Sequence, residues 1–148
     1  MKPPSSVELV LDSQIHEIRR LGPWLERALP GTKADTCRAE IELALVELVS
    51  NIIRHGCNGC ACGPILLRLE QRGERVRIEI RDSGRPVAPW AVDHADEALE
   101  FDPDDIDKLP VCGLGLAMAI AVMDHFDYVQ GKAGNVTTIE KTLGAPAA

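Results

Sequence analysis

The chain lacks a long apolar run, and none of its hydrophobic stretches approaches the ~20 residues that a membrane-spanning helix needs. Its start, Met-Lys-Pro-Pro-Ser-Ser, lacks the apolar region of a secretory signal, so a cytoplasmic protein is expected. Positive charge is also scarce, with 16 Lys and Arg against 23 Asp and Glu and a net charge of -7. This balance argues against nucleic acid as a partner, because phosphate binding depends on clustered Lys and Arg. It fits a basic protein partner, and equally a surface that only needs to be soluble.

A second cysteine pair is missing as well. The chain has 5 cysteines, an odd number without a secretory context, so reduced thiols are expected rather than a disulfide framework. Cys57, Cys60 and Cys62 lie in the segment C-N-G-C-A-C. A closed zinc site needs four ligands at recognisable spacing, so free thiols in a loop are favoured over a structural metal.

The 148 residues and the hydrophobic fraction of 45% fit one domain with its own core, predicted over residues 1–148 with the core at about 7–143. No internal repeat is present. Apolar spacing predicts a strand at 7–11, a helix at 14–29 that Gly22-Pro23 interrupts, and a long helix over 39–56 that starts from Thr32 or Asp35.

Two pairs of alternating runs predict antiparallel hairpins, at 65–72 with 75–81 and at 126–129 with 136–143. A helix is predicted between them, from Leu116 to about Asp124. Residues 87–112 are crowded with acids, have Lys108 as their only fixed positive charge, and are predicted to form a mobile loop. Helices combined with antiparallel hairpins predict an α+β fold, a two-layer α/β sandwich with a mixed or antiparallel sheet and the helices on one face.

Two polar residues, Glu47 and Asn51, lie beside the apolar face of the long helix. They are four residues apart, so they lie about one turn from each other on the same side. A carboxylate and a carboxamide next to a buried face need water, hydrogen bonds or a ligand. Taken alone, they fit any hydrogen-bonded pair.

Three segments occur in a fixed order: E-L-V-S-N on the long helix, D-S-G-R-P after a strand, and G-L-G-L at the start of a helix. Together they resemble the N, G1 and G2 boxes of the GHKL ATPase/kinase superfamily, which has the Bergerat ATP-binding fold. Their spacing is similar to that of the small anti-sigma-factor serine/threonine kinases of partner-switching systems. The resemblance extends over nearly the whole chain.

The resemblance implies ATP and Mg²⁺ as cofactors and a role for each polar residue of the long helix. Asn51 would offer its neutral oxygen to Mg²⁺, a cation that takes few protein ligands. Glu47 would accept a proton from the attacking hydroxyl, as a general base. Arg54 and His55, which follow the N box, are minor candidates to face the phosphates.

The other two boxes would hold the nucleotide. Asp82 would accept a hydrogen bond from the adenine amino group, and Gly84 would let the base approach the backbone. Thr138 on the last strand would support Asp82 and the adenine. The phosphates would be bound by Gly113, Leu114, Gly115 and Leu116. These residues lie at a helix N-terminus, where backbone N–H groups and the helix dipole favour anions.

The resemblance also implies a function and partners. The chain would be a serine/threonine protein kinase that phosphorylates a STAS-type anti-sigma-factor antagonist and sequesters a sigma factor, and a homodimer is among the expected assemblies. One alternative is a non-catalytic nucleotide-binding module that acts by partner sequestration, because Leu114 stands where the G2 box usually has Arg. Another is the ATP-binding part of a sensor-kinase system. It is less favoured because the chain contains no phosphoacceptor helix pair.

Overall fold

The computed structural model describes residues 5–31, 35–56, 62–86 and 114–144, in which three α-helices pack on a five-stranded sheet. In chain order the elements are β1 (Ser5–Leu11), a 3₁₀-helix (Ile15–Arg20), α1 (Leu21–Ala28), α2 (Asp35–Asn51), a π-helical turn (Ile52–Gly56), β2 (Ile65–Arg72), β3 (Arg75–Asp82), α3 (Leu114–Val122), β4 (His125–Gly131) and β5 (Gly134–Thr142). The acidic segment 87–112, predicted to be a loop, lies outside these residues.

The sheet has the strand order β1-β2-β3-β5-β4, and every neighbouring pair is antiparallel. Both predicted hairpins are present, and Gly73 takes the left-handed conformation (φ 59°) that the tight turn between β2 and β3 requires. The chain then leaves the sheet after β3, passes through α3 and returns, so that β5 pairs with β3. The predicted α+β sandwich is confirmed, with a fully antiparallel sheet among the described strands.

The register gives the sheet one buried and one exposed face. Leu69, Ile78 and Ile139 are paired across three strands, and each is at most 1% exposed. Their neighbours along the strands, such as Arg68 and Arg77, point to the other face and are exposed. The helices cover only the first face, because the apolar residues of all three helices share one core with the strands.

The helix predicted over 14–29, with an interruption at Gly22-Pro23, is divided just before that pair. A 3₁₀-helix ends at Arg20 and α1 begins at Leu21. This division places Pro23 in the first turn of α1, where an absent N–H leaves no helical hydrogen bond unmade. Trp24 and Leu25 of α1 are buried against the core, and the predicted end near Pro30-Gly31 is confirmed.

The long helix α2 begins at Asp35, one of the two predicted starts, and it buries Ile41, Leu45 and Leu48. Its last residue is Asn51, after which the backbone widens into the π-helical turn that ends at Gly56. Such turns are frequent at functional sites. No helix in the described ranges is both long enough and apolar enough to cross a membrane.

The cysteines require one correction. Cys62 is disulfide-bonded, so the expectation of reduced thiols is wrong for this residue, whereas Cys37 is free. An odd number of cysteines leaves one thiol over but does not prevent the others from pairing. Cys57, Cys60 and Cys112 lie outside the described residues.

Candidate functional site

The π-helical turn after α2 and the loop after β3 are fixed to each other through two glycines. A Cβ atom added at Gly84 would lie 3.0 Å from both the carbonyl carbon and the oxygen of Gly56. The Arg85 N–H donates a hydrogen bond of 2.8 Å to that same oxygen. A larger residue at position 84 would force the two backbones apart, so the contact joins the E-L-V-S-N and D-S-G-R-P segments.

Asp82 is the last residue of β3, and its side chain is on the helix-covered face of the sheet, 6% exposed. Its Oδ1 accepts hydrogen bonds from the Gly84 N–H (2.9 Å) and from Asn135 Nδ2 (3.0 Å). Two donors offset part of the cost of burying an ionised carboxylate. No described residue donates to Oδ2, so this oxygen keeps its capacity to accept a hydrogen bond from a ligand.

Glu47 joins α2 to α3. Its Oε2 atom occupies the space where a side chain on Gly115 would begin, so a larger residue at this position in the first turn of α3 would displace the Glu47 carboxylate. The first N–H groups of a helix have no intrahelical partner, and the helix dipole favours negative charge there. The half-buried carboxylate of Glu47 therefore lies at the end of α3 where an anionic ligand would also bind.

Asn51 is half-buried one turn after Glu47. Neither side chain has a hydrogen bond or an ion pair with any residue in the described part of the chain. The simple interpretation of the two as a hydrogen-bonded structural pair therefore has no support here. Both groups retain their full capacity for water, a cation or a ligand.

The strand register distinguishes the two threonines of β5. Thr138 pairs with Glu79 and Asp127, which places it on the face opposite Asp82. Thr137 pairs with Ile80 and so shares the face of Asp82, with 4% exposure. The supporting hydroxyl predicted at position 138 is thus better placed at Thr137.

Sequence reasoning assigned no role to Asn135 or Gly134, yet both contact the Asp82 loop. Asn135 Nδ2 donates to Asp82 Oδ1 and also to the Gly84 carbonyl oxygen at 2.9 Å. Gly134 has φ 124°, and a Cβ atom there would meet the Asp82 carbonyl oxygen. The Gly-Asn pair at the start of the last strand is visible in the sequence. Its contact with β3 is not, because that contact depends on how the two strands pair.

The remaining predicted residues are placed as follows. Leu116 is 4% exposed and packs in the hydrophobic core, so its side chain is not a phosphate ligand. Arg54 and His55 are exposed on the π-helical turn. Leu114 is the first residue of α3, whereas Gly113 lies outside the described ranges.

A family model described as a histidine kinase-like ATPase domain matches residues 12–141. Among solved structures, the chain is similar to the RsbU and RsbW domains of Rv1364c from Mycobacterium tuberculosis, with 24% identity and a TM-score of 0.62. That alignment covers 99% of this chain and 34% of the other, so the chain spans about a third of its length. A search of curated proteins found no match.

Two histidine kinases are also similar. The mycobacterial sensor histidine kinase MprB has 18% identity and a TM-score of 0.50, over 93% of this chain and 98% of its own. The catalytic domain of histidine kinase ThkA has 19% identity and a TM-score of 0.50, over 93% and 95%. At these identities the solved structures show a common fold. The family match covers most of the chain, which therefore belongs to the histidine kinase-like ATPase domains of the GHKL type, and this membership implies that it binds ATP.

Proposed function

We propose that the chain is an ATP-dependent serine/threonine protein kinase that acts as an anti-sigma factor and phosphorylates a STAS-type anti-sigma-factor antagonist. The observation that carries this proposal is the position of Glu47, whose half-buried carboxylate contacts Gly115 and has no polar partner among the described residues. This carboxylate lies at the end of a helix where phosphates bind, and no described residue donates a hydrogen bond to it. It is therefore able to accept a proton. The similarity to a structure that contains an RsbW domain supports this choice of kinase class.

The residues present fit ATP. Asp82 offers an oxygen without a partner from the described residues, in a buried position that suits the amino group of adenine. Gly84 packs against the Gly56 backbone, and this contact holds the segment that follows Asp82, the residue that would accept a hydrogen bond from the base. Gly113, Leu114 and Gly115 would hold the phosphates through their backbone N–H groups.

Asn51 would hold Mg²⁺ through its amide oxygen, with phosphate and water oxygens completing the coordination. When bound, Mg²⁺ would neutralise charge on the phosphates. Glu47, one turn earlier on α2, would accept the proton of the substrate serine or threonine hydroxyl. Its carboxylate lies against Gly115 in the first turn of α3, so the base would lie beside the proposed phosphate site.

The proposed partners are the STAS-type antagonist as substrate and a sigma factor that the same protein sequesters, with a homodimer as the proposed assembly. Purified chain incubated with [γ-³²P]ATP and a co-encoded STAS protein should transfer phosphate to that protein. Replacement of the acceptor serine or threonine by alanine should abolish the label. If ATP binds but no co-encoded antagonist is labelled, the kinase proposal is wrong.

A second candidate is a non-catalytic nucleotide-binding module that regulates a partner by contact alone. Leu114 favours it, because a leucine supplies no cation to stabilise the charge that develops during phosphoryl transfer. Calorimetry with Mg-ATP followed by a turnover assay separates the two candidates, since the module would bind without turnover. Acid-labile phosphate on a partner would instead identify a histidine kinase activity, which the similarity to MprB and ThkA makes worth assaying.

A further inference from the structure

Asn135 uses both hydrogens of its amide group on the loop that follows β3. The residue is 4% exposed, at the start of β5, where it pairs with Asp82 across the sheet. One hydrogen bond runs from Nδ2 to Asp82 Oδ1 at 3.0 Å and the other from Nδ2 to the Gly84 carbonyl oxygen at 2.9 Å. The amide therefore spans the segment from Asp82 at the end of β3 to Gly84 in the loop.

These contacts fix the orientation of the Asp82 carboxylate. Oδ1 also accepts from the Gly84 N–H at 2.9 Å, so two donors from different directions hold the same oxygen. A carboxylate with one oxygen held in this way cannot rotate about its last side-chain bond without breaking both hydrogen bonds. Oδ2 is consequently presented in a single direction.

We propose that Asn135 is a positioning residue for base recognition, which holds Asp82 so that Oδ2 accepts a hydrogen bond from the 6-amino group of a purine. The proposal rests on the ATP-binding part of the proposed function and is independent of the phosphate acceptor. A base with an oxygen at position 6 would present an acceptor to another acceptor. Such a contact is unfavourable only while the carboxylate cannot turn away.

Two nucleotides isolate this contact. ATP carries the 6-amino group, whereas purine riboside 5′-triphosphate has hydrogen in its place and is otherwise the same. The ratio of their dissociation constants, measured on the full chain by isothermal titration calorimetry, reports the hydrogen bond to Asp82. The triphosphate contributes equally to both and cancels.

Asn135→Leu keeps approximately the shape of the side chain and removes both donors. We expect it to reduce the ratio of the two dissociation constants by about fivefold or more, mainly by weakening ATP. The ratio of ADP to ATP affinity, which reports the phosphates, should not change. Gln71→Leu is the matched control, because the Gln71 amide donates to the Gly73 carbonyl at 3.1 Å in an exposed turn, and this variant should behave like the unmodified chain.

Asn135→Ser is a smaller change that leaves one weaker donor, so it should give an intermediate ratio of the two dissociation constants. Circular dichroism identifies which variants are folded. Equal weakening of both nucleotides by the folded variants would show a merely structural role and overturn the proposal, as would unchanged binding of ATP. Failure of the unmodified chain to bind either nucleotide would instead overturn the ATP-binding site itself. The two failures are therefore distinguishable.

Discussion

The two ends of the candidate site differ in how far the protein completes its own hydrogen bonding. At the base end (Gly56, Asp82, Gly84 and Asn135), four hydrogen bonds join the π-helical turn after α2, the loop after β3 and β5. At the phosphate end (Glu47, Asn51 and Gly115), the two polar side chains have no hydrogen bond from any described residue. The polar groups of the base end are hydrogen-bonded within the protein, whereas those of the phosphate end remain able to bind a ligand.

This difference suggests a division of labour. Groups that are already fixed by hydrogen bonds lose less conformational entropy when a ligand binds. The base end should therefore contribute most of the affinity and selectivity for the nucleotide base. Polar groups that gain partners only from a ligand or its cation can act most strongly when charge develops there. Variants at the two ends should therefore separate nucleotide affinity from phosphate transfer, and four substitutions test this in order of decreasing effect.

The largest effect is expected at the phosphate end, for Glu47→Ala. Loss of a general base should slow phosphate transfer by about 10²- to 10⁴-fold, whereas ATP affinity should remain within about threefold. Single-turnover transfer and calorimetry on the same preparation measure the two quantities. Glu42→Ala removes an exposed carboxylate from the same helix and should change neither. Equal loss of binding and transfer in Glu47→Ala would contradict the assignment of the base.

The base end should show the opposite pattern in Asp82→Asn. Hydrogen bonds to a charged group contribute about 1.5–3 kcal/mol, so ATP should bind roughly 10- to 100-fold more weakly. Transfer at saturating ATP should be largely retained. Asp127→Asn, which changes an exposed carboxylate on the other face of the sheet, is the control. A fall in the maximal transfer rate without a change in ATP affinity would contradict the assignment of Asp82 to base binding.

Gly115→Ala tests how closely the phosphate end is packed. The added methyl group would meet the Glu47 carboxylate and displace it, so transfer should fall by about tenfold with a smaller change in ATP affinity. Gly131→Ala is the matched control, since a Cβ atom there meets only the Gly134 carbonyl oxygen, at an ordinary 3.5 Å. Unchanged transfer in Gly115→Ala would mean that the position of Glu47 is not critical.

The sequence predicted those parts of the fold that depend on local periodicity. The spacing of Ile41, Leu45 and Leu48 identified α2, and alternation identified both hairpins, because each signal lies within one element. The same alternation predicted that Asp82 lies at the end of a strand with one buried face. Asp82 is also part of the D-S-G-R-P segment, one of the three on which the resemblance to the GHKL boxes was based.

The structure adds what depends on pairing between distant segments. Asn135 and Asp82 are 53 residues apart, and no local pattern indicates that their side chains meet. Thr137 and Thr138 differ by a single position, and in a strand that step moves a side chain to the other face, so register decides between them. The Gly22-Pro23 pair did indicate the division between the 3₁₀-helix and α1, although the break lies just before that pair.

The smallest effect is expected for Lys141→Met, which tests whether the phosphate end depends on how α3 is held against α2. The Lys141 ammonium donates to the Val122 carbonyl at the C-terminus of α3, at 2.6 Å, and forms an ion pair with Glu40 of α2. Its loss should lower the free energy of unfolding by about 1–2 kcal/mol, measured by urea denaturation. Lys132→Met, at an exposed turn position, should have almost no effect.

The same variant is expected to reduce phosphate transfer slightly and to leave the base discrimination intact, because the base-end contacts do not involve α3. Glu40→Gln should remove part of the same interaction, so the double variant should lose less stability than the two single losses combined. Strictly additive losses would show that Lys141 and Glu40 act independently. In that case the position of Glu47 against Gly115 would depend on the apolar packing between α2 and α3 rather than on this ion pair.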